Sequence, residues 1–227
     1  MNKTQYPDCV ILCGDGALFW NNEGRGAYGL IYPIFSDEAL QTLKPGKSKI
    51  FWLPGNHECY DVLQSRYDRY SKDPIKIKEN VFYCPLGTTL TINGKTCVFV
   101  GGALSIDKEI RTKGVNWFPE EILTEQDFQA ITAISPEADI VFSHTCPSEF
   151  DIQDKWDHDA RIEDPTREVL SKLMNHYKPK YWFFGHWHRQ KGGVYDGVQW
   201  QGLNTISSGY GNCGRFALDI SEIFTKD

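Results

Sequence analysis

The sequence predicts a layered α/β protein built on two β-sheets, and three observations carry that prediction. Short apolar runs at residues 7–13, 49–53, 139–143 and 180–184 read as strands, the first of them typical of a strand buried on both faces. Helix-type segments alternate with them. Blocks of closely spaced strands at residues 81–100 and 194–220 signal antiparallel pairing, which one parallel sheet does not accommodate.

Taken in order, the first run ends in Gly14-Asp15-Gly16. Ser36, followed by Asp37 and Glu38, reads as the N-cap and acidic first turn of a helix reaching about Lys44, with Gly46 just beyond it. The strand at 49–53 runs into Pro54-Gly55-Asn56-His57-Glu58. Pro54 and Gly55 stop it and turn the chain, leaving Asn56 and His57 at the C-terminal edge where open α/β sheets bind ligands. A helix over about residues 60–70 follows, with Val62, Leu63 and Tyr67 as a partial apolar face.

Residues 81–83, 88–92 and 96–100 read as strands, the last two joined by an Asn93-Gly94 hairpin turn. A long loop then carries Gly101 to Pro119. Thr124 caps a helix to about Ala133, and the strand at 139–143 ends in His144. Residues 147–164 form an irregular acidic segment, read as a solvated loop. Asp164-Pro165 opens a helix to about Tyr177, with Val169, Leu170 and Leu173 facing inward. The strand at 180–184 ends in Gly185-His186-Trp187-His188. Antiparallel strands around Val194, 198–200, 204–206 and 216–220 complete the chain, with turns at Asp196-Gly197 and residues 209–214.

The chain has 227 residues, enough for a sizeable core, and no repeat or linker divides it, so residues 1–227 read as a single domain. Its 41% hydrophobic and 24% charged residues are ordinary for a globular protein. A formal charge of −6 argues against a broad basic surface, so a nucleic-acid partner is not expected. No apolar run approaches the roughly 20 residues of a membrane span, and residues 1–5 open no signal peptide. The seven cysteines are scattered, with no Cys-x-x-Cys, as reduced buried thiols are. A cytoplasmic protein, held at no membrane, is the expectation. Oligomeric state is left open.

Four apolar strands end in metal-competent side chains: Asp15, then Asn56 with His57, then His144, then His186 with His188. Four of only six histidines occupy these ends. His186 and His188 are two apart, so on an extended backbone both rings would point to one face and could serve two neighbouring ions. A carboxylate, an amide oxygen and imidazoles suit manganese, iron or zinc better than calcium or magnesium. His158 reads as solvated in the acidic loop. His176 reads as a surface residue at a helix C-terminus, favoured by the dipole.

The ordered set Gly-Asp, Gly-Asn-His-Glu, Ser-His and Gly-His-Trp-His, from Asp15 to His188, resembles the calcineurin-like metallophosphoesterases. Residues 101–107 and 117–121 are similar to a bacterial and phage branch of that family. The resemblance implies a four-layer α/β/β/α sandwich holding two divalent metal ions, manganese first, with iron, zinc or nickel as alternatives. It implies that Asp15 bridges the ions, that Asn56, His144 and His186 complete one site, and that His188 serves the other. His57 would face the substrate phosphate as a catalytic residue that binds no metal. The implied reaction is hydrolysis of a phosphomonoester or phosphodiester of a small metabolite or nucleotide by attack of a metal-bound hydroxide.

Two departures qualify the match. The family's earlier Asp-x-His strand has no counterpart in the 14 residues before Asp15, and Asp8 precedes its strand rather than following one. A shortened N-terminus, a site holding one ion, or an inactive phosphate- or nucleotide-binding pseudoenzyme would each account for this. An uncovered sheet edge is a liability, which favours the shortened start. Protein Ser/Thr phosphatases of the family carry an Asp, then Arg-Gly, after the bridging Asp, and an Arg before Gly-Asn-His-Glu; here Leu18, Phe19, Trp20 and Pro54 stand there. Arg111 and Lys113 are candidate phosphate contacts, with surface solvation the expected role of both.

Overall fold

The computed structural model describes residues 8–16, 48–153, 163–204 and 220–221. The expected helix at 36–44, the strands and turn expected within 205–219, His158 and residues 154–162 of the acidic segment lie outside these residues.

The described strands form two sheets. The first has the order β1 (Cys9–Cys13), β2 (Lys49–Leu53), β4 (Val81–Tyr83), β3 (Ile75–Lys76). The second has the order β5 (Thr88–Ile92), β6 (Lys95–Val100), β7 (Ile140–Ser143), β8 (Tyr181–Phe184), β10 (Val198–Gly202), β9 (Lys191–Tyr195). Both are mixed. β1, β2 and β4 run parallel, as do β6, β7, β8 and β10, while β3, β5 and β9 join their edges antiparallel.

Strand periodicity sorts the core into layers. Phe51 and Leu53 of β2 meet Phe99, Ile140, Phe142 and Phe183 of the second sheet, so one apolar layer lies between the sheets. The alternate residues face outward. Trp52 and Tyr83 pack with Tyr60 and Leu63 of α1 (Tyr60–Arg66). On the far side, Val98, Val141 and Trp182 pack with Ile131 of α2 (Glu125–Ile134) and Leu170 and Leu173 of α3 (Pro165–Tyr177). Helix, sheet, sheet, helix is the four-layer α/β/β/α sandwich.

Local signals explain most element ends. Thr124 and Asp127 form a reciprocal capping box on α2. Asp164 accepts hydrogen bonds from the Thr166 and Arg167 N–H groups, with Pro165 in the first turn of α3. Asn93-Gly94 and Asp196-Gly197 take left-handed backbone at both turn positions, the type I′ hairpin geometry. The α1 helix stops at Arg66, short of the expected Tyr70. Arg69 explains this, because its guanidinium reaches the Asp127 carboxylate at 2.7 Å and the Glu120 carbonyl at 2.9 Å, pulling the chain away from the helix. The two-residue β3 and the 3-10 turns at Lys108–Ile110 and Pro119–Glu121 carry no periodic apolar signal, and sequence reading missed them.

Asp127 is 1% exposed, and it also accepts from Tyr70 and from Thr124 N–H and Oγ1. Asp127→Ala leaves a largely buried arginine unpaired and removes the cap, and should lower unfolding free energy by about 3–5 kcal/mol in urea denaturation.

Candidate active site

Strand register brings the polar turns to one edge. Cys13 pairs with Leu53 in the first sheet, and Ser143 pairs with both Val100 and Phe184 in the second. The turns after β1, β2, β6, β7 and β8 therefore leave the two sheets on the same side. The Gly102 N–H donates to the Pro54 carbonyl at 2.9 Å, tying the sheets together there.

Asp15 follows Gly14 in a turn where both residues have positive φ, 51° and 100°. A Cβ at Gly14 would land on the His144 ring, and one at Gly55 would meet the Asp15 carboxylate, so each position needs glycine. Glu58, 1% exposed, accepts from the Gly16 N–H at 2.7 Å and from the Gly55 N–H at 3.4 Å, which clamps the first two turns together. The His57 N–H donates to Asp15 Oδ1 at 3.1 Å.

Asn56 sits at the centre. Its Nδ2 donates to Ser105 Oγ at 2.9 Å, which turns Oδ1 toward the histidines. Oδ1 lies 3.0 Å from His144 Nε2 and 3.2 Å from His186 Nδ1. His144 Nε2 is also 3.4 Å from Asp15 Oδ1. A carbonyl can only accept, so His144 Nδ1–H is the donor to the Cys13 carbonyl at 2.6 Å, which leaves Nε2 as the lone-pair nitrogen in the neutral ring. Three acceptor atoms thus face one another, and they need either a second proton on His144 or a metal cation among them.

The environment favours the neutral rings a metal requires. Burial pushes His186 down to about 3, helped by the charges of His144 and His57 against the pull of Asp15. Burial likewise lowers His57, with Asp15 opposing and Arg111 assisting. Burial alone would raise Asp15, but the three imidazoles and the His57 N–H outweigh it and hold the carboxyl below its ordinary value. Among the described residues no three His, Cys, Asp or Glu side chains alone form a metal cluster. The amide oxygen of Asn56 is what joins Asp15, His144 and His186 into one donor set.

The structure thus brings together Asp15, Asn56, His144 and His186, and places His57 and His188 on the same cavity of about 350 Å³. The extended-backbone premise for the last pair does not hold. β8 ends at Phe184, and His186 and His188 both adopt left-handed backbone, φ 65° and 50°, because the chain must turn at the sheet edge. His186 reaches Asn56, while His188 lies exposed at the cavity rim. His176 is exposed in the last turn of α3, as expected.

Sequence reading missed the supports. Ser105 orients Asn56, and Glu121 orients Ser105, accepting its N–H at 2.8 Å and the Trp117 indole at 3.0 Å. All three lie in the stretches 101–107 and 117–121, whose resemblance to relatives was the available signal. Arg111 corrects the expectation of surface solvation: its side chain is 4% exposed and paired with Asp107 at 2.8 Å. Lys113 is exposed.

Two mixed sheets stacked between helices, with a cleft of carboxylate, amide and imidazole donors at their shared edge, define a metallo-dependent phosphatase fold. The chain belongs to the calcineurin-like phosphoesterase family, whose profile matches residues 2–190. No curated protein sequence matches the chain significantly. Among solved structures it is similar to a phosphopantetheinyl hydrolase from Mycobacterium tuberculosis, with 17% identity over 88% of this chain and 82% of that one, at a TM-score of 0.41. At that level of likeness nothing about substrate transfers.

Glu121 is 0% exposed, and burial pushes its carboxyl up from 4.5 to about 7 against the Ser105 and Trp117 donors. The folded state then binds more protons than the unfolded between those values, so stability falls as pH rises from 4.5 to 7. Glu121→Gln should remove on the order of 3 kcal/mol of that fall, read as the difference between wild type and variant in urea denaturation across the window.

Proposed function

We propose that this protein is a divalent-metal-dependent hydrolase of a small phosphate ester, a monoester or diester of a metabolite or nucleotide. The convergence of the His144, Asn56 and Asp15 acceptor atoms on one point carries the reading, since a cation satisfies all three at once. Asp15, Asn56, His144 and His186 would hold one ion, and Asp15 with His188 would face a second. Manganese suits this oxygen and imidazole set, with iron, zinc or nickel next. Bound divalent ions supply Lewis acidity and lower the pKa of coordinated water.

The chain's own groups supply the rest. Ser105 fixes which end of the Asn56 amide faces inward, and Cys13 fixes the ring of His144. His57, anchored through its N–H on Asp15, presents its ring to the cavity, where it would stabilise or protonate the leaving oxygen. The six described cysteines are free thiols, which supports a cytoplasmic setting, and no helix among the described residues is long and apolar enough to cross a membrane.

The alternative reading is a phosphate- or nucleotide-binding module with little turnover. Turnover separates the two.

With Mn²⁺ supplied, Asp15→Asn should abolish measurable turnover and lower metal content. His57→Ala should cut kcat by about 10²–10⁴-fold while metal per chain, measured by plasma emission, stays unchanged. Loss of metal in His57→Ala would make His57 a ligand. Phosphate binding without metal-dependent turnover in wild type would establish the second reading.

A further inference from the structure

Arg111 is unusual for a loop residue. It follows a 3-10 turn in a stretch whose neighbours Ile110, Thr112 and Lys113 are exposed, yet its side chain is only 4% exposed. Burying a guanidinium is costly unless it is paired. Asp107 pairs it at 2.8 Å, and the Asn116 carbonyl lies at 3.5 Å. The remaining contact is with the candidate site: the guanidinium lies 3.4 Å from His57 Nε2. Its Nε is buried and has no partner among the described residues. Both Arg111 and His57 line the cavity that holds Asp15, Asn56 and His186.

The cavity's other two arginines bond elsewhere, and Arg189 donates to the Ile152 carbonyl at 3.4 Å. Arg167 donates to the carbonyls of Cys146, Pro147, Ser148 and Phe150, and so holds the 146–150 loop. Arg111 instead stands beside the proposed catalytic imidazole with a donor unspent.

We propose that Arg111 is a substrate-binding residue whose guanidinium receives non-bridging oxygens of the phosphoryl group next to His57. A planar guanidinium matches two phosphoryl oxygens at once, which a lysine cannot do. Asp107 holds the guanidinium in place beforehand and offsets its charge while the cavity is without substrate. This inference rests on the phosphoesterase reading.

The bland alternative is that Arg111 and Asp107 merely staple the loop. Calorimetric titration of inorganic phosphate into the Mn²⁺-loaded full chain separates the two, with thermal unfolding run alongside. Arg111→Met should weaken phosphate binding at least about tenfold. Arg111→Lys should recover part of that loss. Asp107→Asn breaks the same pair but keeps the guanidinium, so it should weaken phosphate binding clearly less than Arg111→Met. Equal weakening in Asp107→Asn and Arg111→Met would overturn the proposal and leave the staple. Phosphate binding and turnover both retained in Arg111→Met would overturn it while leaving the phosphoesterase reading intact. A wild-type protein that takes up no phosphate and turns over no ester would remove both.

Discussion

The amide of Asn56 is the constraint on which the rest of the site depends. An amide can present either end, and the two ends differ in the sign of what they attract. Ser105 decides the matter by accepting from Nδ2, so the oxygen points at His144 and His186. Behind Ser105 stands Glu121, which holds its backbone N–H. Orientation of one oxygen therefore draws on a loop nearly 50 residues away in sequence. Without that loop, the donor set would lose the member that joins its carboxylate to its imidazoles.

The sandwich serves this arrangement by bringing strand ends into line. Parallel register makes β1 and β2 finish together in one sheet, and β6, β7 and β8 finish together in the other. The apolar layer between the sheets then fixes how those two edges face each other. Trp52, Trp182 and Phe184, all fully buried, make the register expensive to shift, because a slip of one residue would turn each aromatic to the wrong face. Precision at the polar edge is thus inherited from apolar packing beneath it.

Much of this was legible in the sequence, for physical reasons. The runs at 49–53 and 140–143 have nothing polar to interrupt them, as strands covered on both faces require, whereas the run at 9–13, expected to be buried alike, forms a strand that is only half-buried at the end of the described sheet. Caps at Thr124 and Asp164 and the turns at Asn93-Gly94 and Asp196-Gly197 act through neighbouring residues, so they can be read locally. The clustering of Asp15, Asn56, His144 and His186 followed from their places at strand ends. What stayed hidden was non-local. The early end of α1 depends on Arg69 meeting Asp127, 58 residues on. Burial of Arg111 depends on a 3-10 turn that no periodicity announces. The left-handed turn at His186 and His188 has no local signal either, since a spacing of two equally fits a strand that continues.

That left-handed geometry constrains how the site can change over generations. On the proposed metal-dependent reading, Asp15, His186 and His188 would each have to be competent donors and also tolerate a backbone region that most side chains avoid. Asp, Asn and His are several-fold enriched there, whereas β-branched and bulky residues are strongly disfavoured. The repertoire at these three positions is therefore narrower than donor chemistry would set. A lineage losing the activity would be expected to drift first toward Asn or Gly at these places, since those residues keep the turns while giving up charge or side chain. Such a descendant would retain the sandwich, the aligned edges and the cleft, and would have lost only what the cleft was built to hold.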